Sequence, residues 1–273
     1  MKLRNPFAKK EKIVKGKFDI NYILDPNSAL DCHIDQFGIF QDWIAMKLPD
    51  LVRNDSIIFD IGANIGLLTL PFARHIHNGM IYAFEPDIEN FLQLERNVVI
   101  NNFNNVKVNN LALQDDHNAE KLTFYKRRAI DGDKKVNKGI SSLENMSIHN
   151  IAQISVLCST IDRFVLENHI PKIDFIKTDV EGSEHKVLKG GIESITKNLP
   201  LILYEYSTTI DNLANSRNTY ESFQFLKNLG YKQFQIFKEE KLIEVKEYDK
   251  DLDNVNILAF HSSKVSKYEI SKL

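Results

Sequence analysis

Apolar positions along this chain come in short runs, separated by polar turns, and the spacing inside the runs switches between strand and helix. Ile57-Ile58-Phe59-Asp60, Met80 to Glu85, Ile173 to Asp179 and Leu201 to Glu205 are nearly continuous apolar stretches of strand length. Such stretches belong to strands covered on both faces. Between them apolar residues recur at helical spacing, as at Ile88, Phe91, Leu92, Val98 and Val99. The pattern predicts strands over 57–60, 80–85 and 106–113, with helices over 67–75 and 88–99. Pro71 fits the first of these helices only near its start or as a kink.

The alternation breaks over residues 114–157. There, strand-like runs at 121–125 and 153–157 flank a polar stretch carrying Lys126, Arg127, Arg128, Lys134, Lys135 and Lys138. A solvated loop is the ordinary reading of such a stretch, and contact with a phosphate-bearing substrate is the sharper one. The pattern resumes with a helix over 160–168, a strand over 173–179 and a helix over 184–195 interrupted by Gly190-Gly191. A strand over 201–205 and a helix over 219–229 follow. Runs at 231–237 and 255–260 have no helix between them, so they are expected to pair antiparallel. The expected fold class is α/β: a Rossmann-like, seven-stranded, mostly parallel sheet with an antiparallel last strand and helices on both faces.

The domain plan is a tail over 1–17, a lead-in over 18–52, a main domain over 53–262 with its insertion at 114–157, and a second tail over 263–273. In the lead-in, residues 18–24 alternate loosely as a strand, and Ile39 to Leu48 suggest a helix with one apolar face that caps the sheet. His33 and Asp35 there are either loop polarity or residues facing a substrate pocket.

Composition narrows the class. At 273 residues and 43% hydrophobic, the chain can bury a sizeable core. A net charge of −2 gives no field for nucleic acid or an anionic membrane. Positive charge gathers instead in the first 17 residues, as a solvated tail or a tether to an acidic surface. The two cysteines, Cys32 and Cys158, are far apart, which argues against a disulfide framework or a cysteine-rich metal site. No apolar leader and no membrane-length run is present, so a cytoplasmic location is expected. The oligomeric state is not legible.

The chemistry centres on Asp60-Ile61-Gly62-Ala63-Asn64-Ile65-Gly66, between a strand and a helix. A glycine turn there lets a ligand approach backbone N–H groups. The third glycine of a dinucleotide fingerprint is missing, and Asp60 would repel pyrophosphate while suiting an ammonium, directly or through water. Glu85 ends the next strand, where a carboxylate can accept both hydroxyls of a ribose. Asn110 to Leu113 could frame an adenine. A ligand with an amino group, a ribose and no phosphate is S-adenosylmethionine, which is favoured over NAD; the absence of a P-loop argues against ATP. The strand over 173–179 leads into Asp179-Val180-Glu181-Gly182-Ser183-Glu184, three acids where open α/β sheets bind ligands.

Together these motifs resemble the FkbM family of S-adenosylmethionine-dependent methyltransferases. The matching stretches are Phe59 to Gly66, Ala83 to Asp87, Asn97 to Asn101, Leu111 to Leu113, Gly139 to Leu143, Ser159 to Asp162 and, most specifically, Ile173 to Glu184 with Leu188 to Gly190 behind it. Thr178 departs from the apolar residue more usual there. The resemblance implies the plan of class I methyltransferases and methyl transfer, usually to oxygen, on sugars or secondary metabolites. It implies cofactor positions at Asp60, Gly62, Asn64, Gly66 and Glu85, with Ala63, Pro86 and Ala112 beside them, and an acidic active-site edge at Asp179, Glu181 and Glu184. Ser141 and Ser142 carry over as a pocket motif for substrate.

Methyl transfer needs an aligned acceptor, and a sugar hydroxyl needs a base or a metal. Asp179, Glu181 and His185 are the candidates, with Asp179 or Glu181 preferred and a solvent-facing place on its helix the plainer reading of His185. No full metal-ligand set can be read, so no metal site is assigned. The alternatives are an NAD-dependent oxidoreductase, a binding module without turnover, and a nucleic-acid methyltransferase, the last disfavoured by the absence of basic charge and of an Asn-Pro-Pro-Tyr-type motif. The expected partner is a small-molecule or glycan acceptor.

Overall fold

A computed structural model of the chain describes residues 11–40, 42–47, 51–127, 129–130, 136–137, 141–144, 150–238 and 241–264. The lead-in comprises β1 (Lys12–Lys15), β2 (Asn21–Leu24), α1 (Ala29–Phe37) and α2 (Asp42–Lys47). Then come β3 (Ile57–Ile61), α3 (Thr69–His75), β4 (Met80–Phe84), α4 (Ile88–Ile100), β5 (Val106–Asn109) and β6 (Ala112–Leu113). The interrupting segment holds β7 (Lys121–Arg127), β8 (Ala129–Ile130), β9 (Val136–Asn137) and β10 (Asn150–Ser159). The chain continues as α5 (Ile161–Glu167), β11 (Phe175–Thr178), α6 (Glu184–Lys189), α7 (Ile192–Asn198) and β12 (Leu201–Tyr206). It closes with α8 (Thr208–Ala214), α9 (Asn218–Asn228), β13 (Tyr231–Lys238), β14 (Lys241–Glu244) and β15 (Val255–His261).

The expected seven-stranded sheet is present in the order β13-β15-β12-β11-β3-β4-β5, and β14 adds an eighth, hairpin strand outside β13. Pairings from β5 to β12 are parallel, while β15 runs antiparallel to both its neighbours. The chain builds outward from β3 through β4 to β5, then returns to the other side of β3 as β11. The carboxyl ends of β3 and β11 are therefore the switch point of the sheet, where a ligand crevice opens in folds of this kind.

Alternate residues of each strand feed opposite layers, as the pleat requires. Phe59, Ile61, Phe84, Ile176, Ile202 and Tyr204 pack with Phe164 of α5, Val187 and Leu188 of α6, and Phe223 and Leu226 of α9. Ile58, Ile81, Phe175, Leu201 and Leu203 pack on the other face with Ile44 of α2 and Phe72 and Ala73 of α3. Coverage of both faces explains why these strands read as continuous apolar runs. Pro71 is the third residue of α3, inside the first turn, where no intrahelical N–H is needed.

Several elements differ from the sequence expectation. The run 106–113 is two strands, because the chain leaves the central sheet after Asn109. Asn110 turns it by donating from Nδ2 to the carbonyls of Glu85 (2.9 Å) and Pro86 (3.0 Å). β6 then joins β10 and β7 in a separate three-stranded sheet. Residues 12–15 of the basic segment form a strand on β2, with Lys12 paired to Asp35 at 2.6 Å; Lys2, Arg4, Lys9 and Lys10 lie outside the described residues. α8 was not foreseen because its sequence, TTIDNLA, has too few apolar positions to show a period. Among the described residues no helix is long and apolar enough to cross a membrane.

The lead-in is locked onto α4 by side chains that complete a strand edge. Asn97 Oδ1 accepts from Ile23 N (2.7 Å), and its Nδ2 donates to Ile65 O (2.9 Å) at the glycine turn. Asn101 Oδ1 likewise accepts from Asn21 N (2.8 Å). Asn97 is fully buried, so Asn97→Ala strands two backbone groups away from water. The expected loss is about 2 kcal/mol in urea unfolding, with the denaturant slope unchanged.

Candidate active site

At the switch point three strand ends meet. After β3 the chain enters the turn with Gly62, Asn64 and Gly66 all at positive φ (75°, 52° and 101°). Gly62 N and Ala63 N both donate to Phe84 O at 3.0 Å, which fastens the turn to the end of β4. A methyl group on Gly62 would overlap the Asp179 carbonyl oxygen, so only glycine lets the ends of β3 and β11 come this close. Ala63 and Gly66 are packed inward: Ala63 is part of a buried cluster, and Gly66 lies against Leu70 and Leu94. Neither lines a cavity described here.

Glu85 follows β4 and is held by two backbone donors. Oε2 accepts from Asn64 N (2.8 Å) and Oε1 from Asp87 N (2.9 Å). A carboxylate has about four lone-pair sites, so each oxygen keeps one to offer. Burial pushes the Glu85 pKa up to about 7, against the pull of those two N–H groups. Asp87 also caps α4, and Lys126 Nζ from β7 sits 3.0 Å from it. This one member of the basic stretch is thus spent on an internal ion pair, while Arg128, Lys134, Lys135 and Lys138 lie outside the described residues.

Glu85 faces a mainly apolar cavity lined by Phe84, Pro86, Leu111 to Leu113, Phe124, Ser141 and Leu143 together with Gly62, Asn64, Asp179 and Glu181. A larger cavity shares Gly62, Asn64, Asp179 and Glu181, and is lined beyond them by His33, Lys177, Glu205, Ser207, Thr209 and Asp253. Asp179 and Glu181 therefore stand at the junction of the two. Of the lead-in pair, His33 reaches a cavity wall and Asp35 does not.

Asp60 is placed differently from the sequence expectation. It is fully buried behind the turn and lines neither cavity. Its Oδ2 accepts from Thr69 Oγ1 (2.5 Å), and its Oδ1 lies 3.4 Å from Lys177 Nζ. Its charge already has an internal cation, so it meets no ammonium directly. Lys177 is 6% exposed. It donates to Gly62 O at 2.7 Å and stands 3.8 Å from Asp179 Oδ2. Burial works against its charge, but Asp60 and Asp179 outweigh it and raise its pKa.

The remaining predicted residues brace the acidic edge. Glu184 is buried; Oε1 accepts from Val180 N (2.8 Å) and Oε2 from Asn218 Nδ2 (2.6 Å), and burial raises its pKa to about 7. Ser142 Oγ donates to Glu181 O (2.7 Å) and accepts from Glu144 N (2.9 Å), so it clasps the acid loop rather than lining a pocket. His185 is directed at α9, its ring 5.7 Å from that of Phe225, and lines neither cavity. Burial lowers its pKa. Its ring is thus placed by packing on α9 and not at the junction where Asp179 and Glu181 stand. Sequence reasoning missed Lys177 and Glu205. A lysine inside an apolar strand was the signal for the first. For the second it was an acid near the carboxyl end of β12, the edge where open α/β sheets bind ligands.

Comparison with known proteins gives the same picture. Over residues 60–232 the chain matches the family described as the methyltransferase FkbM domain. It is 28% identical over 183 residues to methyltransferase 1 of Beauveria bassiana, covering 63% of this chain and 72% of that protein. It is 28% identical over 192 residues to the 31-O-demethyl-FK506 methyltransferase FkbM of Streptomyces tacrolimicus, covering 60% and 73%. It is 27% identical over 165 residues to the 2-O-methyltransferase NoeI of Sinorhizobium fredii, covering 58% and 65%. With the family match spanning well over half its length, from the buried Asp60 through the acid loop of β11 to the start of β13, this chain belongs to the FkbM methyltransferase family.

Proposed function

We propose that the chain uses S-adenosylmethionine to methylate a hydroxyl oxygen of a sugar or small-metabolite acceptor. The observation that carries the reading is Glu85: a carboxylate fixed by two backbone N–H groups, with a lone pair left on each oxygen, between an apolar slot and an acidic edge. These residues fit the cofactor. Phe84, Leu111 to Leu113, Phe124 and Leu143 suit an adenine and exclude water. Glu85 suits the two ribose hydroxyls, and the Gly62–Asn64 turn with Asp179 suits the amino-acid end. Asp60 acts from behind, by fixing Lys177 and through it the Gly62 carbonyl.

The cofactor supplies an activated methyl group on a positively charged sulfur. The chain's own contribution is placement. Asp179 and Glu181, at the junction of the cavities, hold the acceptor hydroxyl in line and take its proton as the new bond forms. The larger cavity, with His33 and Ser207 on its walls, receives the acceptor. The O-methyl reading draws support from the named activities of the Streptomyces and Sinorhizobium relatives.

Calorimetry with S-adenosylhomocysteine and with NADH tests this. Tight binding of the first alone is expected, and binding of NADH alone overturns the reading. Glu85→Gln should weaken S-adenosylhomocysteine roughly 10–100-fold, the worth of charged hydrogen bonds. The ionised carboxylate is the better acceptor, and Glu85 has a pKa of about 7. Wild-type affinity should therefore fall as pH drops below about 7, and that slope should be absent from Glu85→Gln.

A further inference from the structure

Beyond the cofactor slot, three carboxylates from adjacent strand ends converge on the larger cavity. Asp179 follows β11, Glu181 lies two residues on, and Glu205 is the penultimate residue of β12, the parallel neighbour of β11. One oxygen from each lies within 4.8 Å of the others. Glu205 adds an independent observation. Its Oε2 is shut off from solvent and has no hydrogen-bond donor among the described residues. A buried carboxylate oxygen without a donor is costly unless a proton or a cation meets it. Lys177 is the neighbouring positive charge, but its shortest contact goes to Gly62 O (2.7 Å), and it also neighbours Asp60 and Asp179.

We infer that Asp179, Glu181 and Glu205 form a binding site for a divalent cation, which presents its remaining coordination positions to the larger cavity and there holds the oxygen of the acceptor. The donor set is all carboxylate, with no histidine or cysteine. It selects a hard ion such as Mg²⁺, Mn²⁺ or Ca²⁺ over zinc or copper. Burial, and then the charges of Asp179 and Glu181, push the Glu205 pKa well above the usual carboxylate range. The binding claim stands by itself; the role assigned to the ion rests on the proposed methyl transfer.

The experiment is a Mn²⁺ titration of the full chain without cofactor, read as the loss of the free-ion signal in electron paramagnetic resonance. Uptake of one Mn²⁺ per chain is expected, weakened roughly tenfold or more in both Glu205→Gln and Glu181→Gln as the ligand charge falls. Glu181 lies in the loop after β11 and not in a strand, so its variant keeps the test valid if Glu205→Gln does not fold. No uptake at millimolar Mn²⁺, or equal uptake in the two folded variants, overturns the site. S-adenosylhomocysteine binding is measured separately. If it fails while Mn²⁺ binds, the cofactor reading falls and the cation site stands; if it succeeds without Mn²⁺ uptake, the cation site falls.

Discussion

Lys177→Met should cost about 3–5 kcal/mol of stability, the size of effect seen when one partner of a buried ion pair is removed. The methionine fills most of the space of the lysine stem, so packing is largely kept and the change isolates the charge. Asp60 is fully buried and would be left with the Thr69 hydroxyl as its partner. The Gly62 carbonyl would lose its 2.7 Å donor. That loss should reach function as well, because Gly62 sets the close approach of β3 and β11 beside the proposed cofactor slot. A loss of this size is a large share of the roughly 5–15 kcal/mol that holds a domain together. Urea unfolding measures it, and a double-mutant cycle locates it. Adding Asp60→Asn to Lys177→Met removes the uncompensated charge and should restore at least about 1 kcal/mol. If Lys177→Met unfolds within about 0.5 kcal/mol of wild type, as ordinary surface changes do, the pair does not hold the turn.

What could be read in the sequence follows from what each element buries. The strands of the central sheet, covered on both faces, print as apolar runs, so β3, β4, β11 and β12 and their order were legible. So was Glu85, because its place at a strand end beside a glycine turn is a matter of sequence spacing. Where polar side chains do the structural work, period and spacing give little. Asn97 and Asn101 carry no apolar signal, yet they tie the lead-in to α4. α8 begins at the Ser207 cap and is anchored by Asp211, whose carboxylate accepts from Thr219 N. The meaning of Asp60 depended on a partner 117 positions away in sequence. Read alone it faces an ammonium; with Lys177 at 3.4 Å it is an internal counter-ion. His185 and Ser142 stand off the walls of the two cavities for a related reason. A motif gives a residue's position along the chain, while the direction of the side chain is set by what it meets far off in sequence, Phe225 of α9 for His185 and the Glu181 carbonyl for Ser142.

Asp179→Asn should lower turnover by about 10²–10⁴-fold, the range for losing a positioned proton acceptor, while affinity for S-adenosylhomocysteine changes by less than about tenfold, the contribution of one charge-assisted contact. The asymmetry follows from where Asp179 stands. It lines both the proposed cofactor slot and the larger cavity proposed for the acceptor. Its main chain is fixed by the sheet, with Asp179 N donating to Ile61 O at 3.1 Å, so the amide occupies the same place as the carboxylate. The substitution therefore removes charge without moving the backbone. Methyl transfer from labelled S-adenosylmethionine, measured on an acceptor that gains one CH₂ in mass in cells carrying the gene, reads kcat; calorimetry reads the cofactor. Equal losses in both would mean that Asp179 serves cofactor binding alone. Turnover kept in full would remove it from the chemistry and leave Glu181 as the remaining acid at the junction. Because Asp179 is also one of the three proposed cation ligands, its Mn²⁺ uptake separates two routes to the same loss. Weakened uptake ties the turnover defect to the ion, whereas unchanged uptake ties it to proton removal by the carboxylate itself.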